Sequence, residues 1–247
     1  MQTINLRHQL NIHGYKVILL GLLFTLPFQA LSQRRYEKEN LPNYDSELIH
    51  YGFYLGGHSA SMKLKYDDVY LSNEFDSLHS IVPQSSPGFT VGFILNLRAA
   101  QYLDFRVLPG VGLYQYTLNY NIYDNAQTIL VQGKKEAFYA ELPLMMKYKS
   151  QRRGNFRAYI IGGVKPSYEV SGKRPDEVNE DILLLNTFNL ALEFGLGFDI
   201  YYEFFKFSPE IRFSRGVTNA LFSTENSYSR PVQQLTTNAV SIYLQFQ

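Results

Sequence analysis

The chain has 247 residues, 45% of them hydrophobic and 18% charged, a balance that excludes disorder as the general state and suits one large domain. It contains no cysteine, which excludes disulfides and thiolate metal sites, and its formal net charge of +1 points away from nucleic acid or any broadly charged partner. The 20 tyrosines and 18 phenylalanines, beside 17 glycines and no tryptophan, favour strands over helices.

At the N-terminus, Arg7 and Lys16 precede the apolar run "VILLGLLFTLPF" at residues 17–28. Ala30 and Ser32 then stand three and one positions before a cut, where small residues are wanted. The run falls short of the roughly 20 residues a spanning helix needs, so residues 1–32 are predicted to be a signal peptide cleaved before Gln33. That segment holds two bases and no acid, and the mature chain therefore carries one more acid than base. No later stretch approaches transmembrane-helix length. An exported chain of this kind is either soluble or spans a membrane as a closed barrel, because backbone groups in hydrocarbon must all be paired internally.

Residues 33–46 read as a periplasmic leader. Within "RRYEKENLPNYDSELIHYGFYLG", residues 34–56, mixed charge gives way to a Leu-Pro-Asn-Tyr-Asp stretch that resists regular structure. Such a leader is expected to be either loose or a handle for other envelope proteins.

From residue 47 to 247 a barrel domain is expected, because eight stretches alternate with the period of two that puts successive side chains on opposite faces of a strand. In chain order they are "YGFYLGGHS" (51–59), "PGFTVGFILNL" (87–97), "LDFRVLPGVGL" (103–113), "FYAELPLMMKY" (138–148), "FRAYIIGGVKPSY" (156–168), "FNLALEFGLGFDI" (188–200), "FKFSPEIRF" (205–213) and "NAVSIYLQF" (238–246). In the six central stretches every charge falls on one parity: Asp104, Arg106, Glu141, Lys147, Arg157, Lys165, Glu193, Asp199, Lys206, Glu210 and Arg212. The other parity is large, apolar and aromatic throughout. A soluble barrel would show water a face rich in Lys and Glu, with few glycines. Here the polar face is instead rich in glycine and mixed in charge, as expected of a lumen, and the apolar face suits lipid.

The connections agree with an eight-stranded antiparallel transmembrane barrel of the outer-membrane type. Short links around "RAAQY", "KSQRRGN" and "YYE" alternate with long gaps at about 65–86, 119–134, 171–186 and 217–236, the pattern of tight periplasmic turns and longer external loops. Tyr51, Tyr148, Tyr201, Tyr202 and Phe246 fall at the short-turn rim, where amphipathic rings anchor at a membrane interface. An eight-stranded barrel is just wide enough for side chains to fill it, so the inward charges are expected to pair across the lumen as a plug.

Little chemistry is legible. His58 beside Ser59 and Ser61 is the only arrangement resembling the Ser and His of a lipid hydrolase, yet neighbours in a strand face opposite ways and no orienting acid stands near. Neither a catalytic centre, a cofactor nor a metal spacing is expected.

On "NLPNYDSELIHYGFYLG", "FYAELPLMMKYKS", "RAYIIGGVKPSY" and "FSPEIRFSRGVTNAL", the mature chain resembles the PorT family of Bacteroidetes outer-membrane proteins. The Glu-Leu-Pro-Leu core is shared with many small barrels of that phylum. The leader running into the first strand is the more PorT-like element. The resemblance implies an outer-membrane component required for the type IX secretion system, which exports proteases and gliding adhesins, with other envelope proteins of that system as partners. It supplies no catalytic residue. The alternatives in other classes are a stand-alone structural or adhesive barrel and a lipid-modifying enzyme.

Overall fold

The computed structural model describes residues 38–67, 78–124, 127–171, 185–221 and 232–247. The expected signal peptide and the first residues of the leader, 33–37, lie outside them. The described chain is an all-β antiparallel sheet of eleven strands: β1 (Ile49–Tyr66), β2 (Leu78–Gln84), β3 (Ser86–Arg98), β4 (Leu103–Val107), β5 (Gly110–Asp124), β6 (Gln127–Glu141), β7 (Leu144–Lys149), β8 (Phe156–Glu169), β9 (Phe188–Tyr201), β10 (Lys206–Gly216) and β11 (Val232–Phe246).

The pairings close on themselves. Starting from β1 they run through β3, β5, β6, β8, β9, β10 and β11 and return to β1, where Phe53 opposes Phe246 and Lys65 opposes Gln234. At the short-turn end β4 and β7 carry the ladder between β3 and β8.

Eleven strands appear where eight were expected because three extended runs are interrupted. Two interruptions fall at Leu108–Pro109 and Leu142–Pro143, where proline has no N–H to give the ladder. Neighbouring backbone bridges both gaps: Phe93 N donates to Pro109 O at 2.8 Å, Leu108 N to Pro143 O at 3.0 Å and Leu142 N to Pro166 O at 3.0 Å. The third lies at Ser85, between β2 and β3.

A second difference concerns residues 119–134, expected as a long loop. β5 and β6 instead stay paired to Asp124 and Gln127, with only two residues between. The reason is a reversal of pattern along β5. Up to Leu113 the large apolar residues point outward; from Tyr114 onward Tyr114, Tyr116, Leu118 and Tyr120 point inward and are buried, while Gln115 and Asn119 look out. On β6 the outward row turns from Phe138 to Glu136, Lys134 and Gln132 at the matching register. The inward residues join Met62, Ile81, Ala137, Tyr139 and Leu235 in an apolar core. This half is built as a soluble barrel is, and the other half is built inside out.

Around the inside-out half, large apolar side chains remain uncovered on every side of the ring, among them Phe53, Phe93, Leu144, Ile160, Phe194 and Ile242. Such a band is tolerated where the surroundings are hydrocarbon. Leu196→Arg, in the outward face of β9, is expected to cost about 2–4 kcal/mol, whereas Gln132→Arg, beyond the band, costs about 0–1 kcal/mol. Reversible unfolding from lipid vesicles measures both, and equal costs would show that the outward face is not a lipid face.

Candidate functional site

All eleven charged residues singled out from the sequence are buried. Nine of them, all but Arg157 and Lys206, form one connected column inside the ring, with Asn96 joining Asp104 to Arg106 and Tyr159 joining Lys147 to Glu210. Nearest the short turns, Lys149 pairs with Asp104 at 2.6 Å and Lys147 with Asp199 at 2.7 Å. The Ser208 hydroxyl donates to the same Asp199 carboxylate at 2.7 Å. Further in, Glu210 gathers Arg106 at 3.3 Å, the Tyr159 hydroxyl at 2.7 Å, the Gln245 amide at 3.1 Å and Arg212. Arg212 also reaches Glu193 at 3.4 Å, and Lys165 bridges Glu193 at 2.9 Å to Glu141 at 3.3 Å. At the top Tyr114 donates to Glu141 at 2.7 Å, which joins the charged column to the tyrosine core above.

Two glycines of β9 make room for this column. A Cβ at Gly197 would stand 2.5 Å from the Tyr159 hydroxyl, and one at Gly195 would strike the Arg212 side chain and the backbone behind it. Short residues on the inward face therefore accommodate long ones on the adjacent strands. Beside the column, a cavity of ≈ 20 Å³ lined by Tyr114, Glu141, Lys165 and Asn189 has room for about one ordered water.

The sequence reading passed over Lys149 and Glu169, both buried. Their parity matches that of Lys147 and Ser167, so ending the fourth and fifth stretches one residue early concealed them. Glu169 pairs with Lys135 at 2.9 Å, on the part of β6 between the expected loop and the fourth stretch. The uncharged members Asn96, Tyr159 and Gln245 carried no signal beyond their inward parity.

The aromatics of the short-turn rim divide. Tyr51, Tyr148 and Tyr202 are exposed and Phe246 is partly so. Tyr201 differs: it ends β9 on the inward parity, is 2% exposed, and lies under the Arg152 guanidinium, 3.7 Å from its ring centroid. It is a mouth residue and does not face the membrane.

That mouth is covered by the leader. Residues 44–46 form a single 3-10 turn, Tyr44–Ser46, which crosses to the far side of the ring. Asp45 takes two hydrogen bonds from Arg157 of β8, each 2.7 Å, and its carbonyl accepts from Arg98. Tyr44 stacks on His50 at 3.9 Å and meets Tyr201 edge-on at 5.8 Å, while Lys206 sits 4.4 Å over the Tyr44 ring. Asn40 donates from its backbone to Asn155 at 2.8 Å and from its side chain to Tyr201 O at 3.0 Å. The leader was expected to resist regular structure; from Asn40 to Ser46 it is instead fitted into the barrel mouth, held by arginines that the turns and β8 provide.

His58, the one catalytic candidate, faces inward, buried and stacked 4.0 Å from Tyr114. Ser59 is exposed on the opposite face and Ser61 shares its parity, so this imidazole does not address either hydroxyl.

Closed strand pairing, an uncovered apolar band and a charged interior together describe a barrel turned outside in. The outer membrane protein beta-barrel domain family matches residues 31–221. The chain belongs to that family. It is an outer-membrane protein, with its apolar band embedded in the lipid bilayer. No curated protein matches the chain in sequence. Among solved structures it is similar to the outer membrane protein OprG from Pseudomonas aeruginosa, 12% identical over 81% of this chain and 95% of that one, with a TM-score of 0.45. Neisserial surface protein A is 10% identical over 81% and 98%, with a TM-score of 0.39. Ail of Yersinia pestis, solved with the heparin analogue sucrose octasulfate, is 10% identical over 81% and 98%, with a TM-score of 0.35.

Breaking the barrel's buried pairs is costly because the surviving charge cannot reach water. Asp199→Ala, which strands Lys147, is expected to destabilise by about 3–5 kcal/mol, and Lys147→Met combined with Asp199→Leu to recover most of that loss. Urea unfolding of the wild type and these two variants in vesicles measures the loss and its recovery.

The cap responds to pH through Asp45. Burial would raise this carboxyl, but the hydrogen bonds and charge of Arg157, with Lys149 and Arg152 beyond, outweigh it and hold the group below the usual carboxylate range. A depressed folded pKa gives stability that is present above the unfolded value and lost as pH falls through the folded one. Amide exchange over residues 40–48, corrected for intrinsic rates, should therefore accelerate only below about pH 4, and Asp45→Asn should be fast at neutral pH with that acid step gone.

Proposed function

We propose that this barrel is a non-enzymatic component of a type IX secretion machine, of the PorT kind. It would be delivered by a signal peptide over residues 1–32, and its eleven strands would act as eight spans, the runs broken at Ser85, Pro109 and Pro143 each crossing as one. The observation that carries the reading is the docked leader. The stretch "NLPNYDSELIHYGFYLG" that bears the PorT resemblance includes the residues fitted into the periplasmic mouth, with Asp45 on Arg157 and Tyr44 on His50. A leader held in this way offers envelope partners a formed periplasmic surface. The lumen, occupied by paired charges from Lys149 to Glu141, supports an accessory role, with cargo passing elsewhere.

A second reading has its own support. The paired extension of β5 and β6 beyond the apolar band, stiffened by the tyrosine core, is a platform suited to a stand-alone structural or adhesive barrel.

One deletion strain separates the two. Under the secretion reading, cargo bearing the C-terminal signal accumulates in the periplasm and export returns with the wild-type gene. Unimpaired export together with lost surface attachment would select the second.

A further inference from the structure

Where β10, β11 and β1 leave the apolar band, their outward residues form two rows set by register. Phe213, Val240 and Ser59 make the lower row, and Arg215, Asn238 and Ser61 the upper. Lys63 follows Ser61 at the next outward position of β1 and is exposed, as is Arg215. Among the described residues neither cation has an acidic partner, in contrast to Lys134 on β6, which pairs with Glu136 at 2.7 Å. Ser59 and Ser61 are small, and a Cβ at Gly57 below them would meet nothing within 4 Å, so β1 lies at the bottom of a trough. The space over these two rows is ≈ 310 Å³, with Lys63 and Gly57 flanking it above and below on β1.

We propose that this trough holds the headgroup of a phosphorylated glycolipid of the outer leaflet. Each part of the site addresses a different part of that ligand. Arg215 and Lys63, without an acidic partner among the described residues, are donors for phosphate oxygens, which guanidinium and ammonium groups bind through charge-assisted hydrogen bonds. The hydroxyls of Ser59 and Ser61 and the amide of Asn238 can exchange hydrogen bonds with sugar hydroxyls. Phe213 and Val240 receive the first acyl carbons, and the notch at Gly57 continues the path of a chain into the band. Adjacent strands are about 4.8 Å apart and outward positions about 7 Å apart along a strand, so Arg215 and Lys63, two strands and one outward position from each other, face a ligand lying diagonally across Asn238 and Ser61. The position favours a membrane lipid over a free anion: Arg215 stands one outward position above Phe213 in the hydrocarbon-facing row, and Lys63 one position higher, at the height where a bilayer places its headgroups.

The test uses the full mature barrel, refolded in detergent and scored as folded by its heat-modifiable gel shift. Native mass spectrometry then measures retention of lipid A carrying phosphate, of the same lipid A dephosphorylated, and of phosphatidylglycerol. Wild type is expected to retain phosphorylated lipid A about tenfold better than either other lipid, the scale of one or two charge-assisted contacts. Arg215→Ala with Lys63→Ala should bring it to the dephosphorylated level, Arg215→Lys should keep part of the preference, and Lys134→Ala should change nothing. Equal retention of the two lipid A forms, or a double variant that binds as wild type does, would overturn the proposal. Equal retention of phosphatidylglycerol would overturn its glycolipid part, leaving a site for anionic lipid in general.

Discussion

Everything in this protein follows from the seam between β1 and β11. Backbone N–H and C=O groups facing hydrocarbon have no water to turn to, so a sheet in a bilayer must join its first strand to its last. The seam runs from Phe53 opposite Phe246 to Lys65 opposite Gln234, and closing it at this circumference leaves an interior that side chains fill. Long charged residues in that interior cannot stay solvated, and they are kept only by pairing. The column from Lys149 and Asp104 to Lys165 and Glu141 is thus a consequence of closure. Replacing a pair by well-packed apolar residues of similar volume is often neutral or stabilising, so the column owes its place to specificity of register more than to net stability: a one-residue slip would turn every one of these charges into lipid.

The period of two made most of this readable. Thirteen alternating residues at 188–200 placed Glu193 and Asp199 on one face and three phenylalanines, three leucines and Ile200 on the other, and a rule of parity needs no knowledge of partners. It says less where the environment changes along a strand. In "YQYTLNY", residues 114–120, the alternation persists while its sense reverses, because the strand has left the bilayer and its outer face meets water. A reader expecting apolar residues outside finds none there and infers a loop. The prolines at 109 and 143 were visible, but that neighbouring carbonyls and amides would carry the ladder past them depends on pairings distant in sequence.

The leader was the least readable element, for a different physical reason. Nothing periodic marks residues 40–46, whose order comes from groups more than 100 positions away, Arg152, Asn155, Arg157 and Tyr201. A short segment with no core of its own takes its conformation from the surface it meets. Asp45 is an unremarkable acid in sequence, and it becomes a mouth residue only because β8 turns Arg157 toward it.

That dependence gives the cap a place in the order of assembly. In the ring β8 stands directly across from β1, so the turn at Tyr44–Ser46 reaches over the full width of the opening to find Arg157. Its anchors come into register only after the strands between them have joined on both sides. The segment that precedes the first strand is therefore among the last to settle, and once settled it acts as a crossbar, tying opposite walls that the hydrogen-bonded circumference connects only the long way round. An unfinished barrel leaves residues 40–46 without their anchors, and a finished one draws them in, so the same few residues that shut the mouth also mark that the barrel above them is complete.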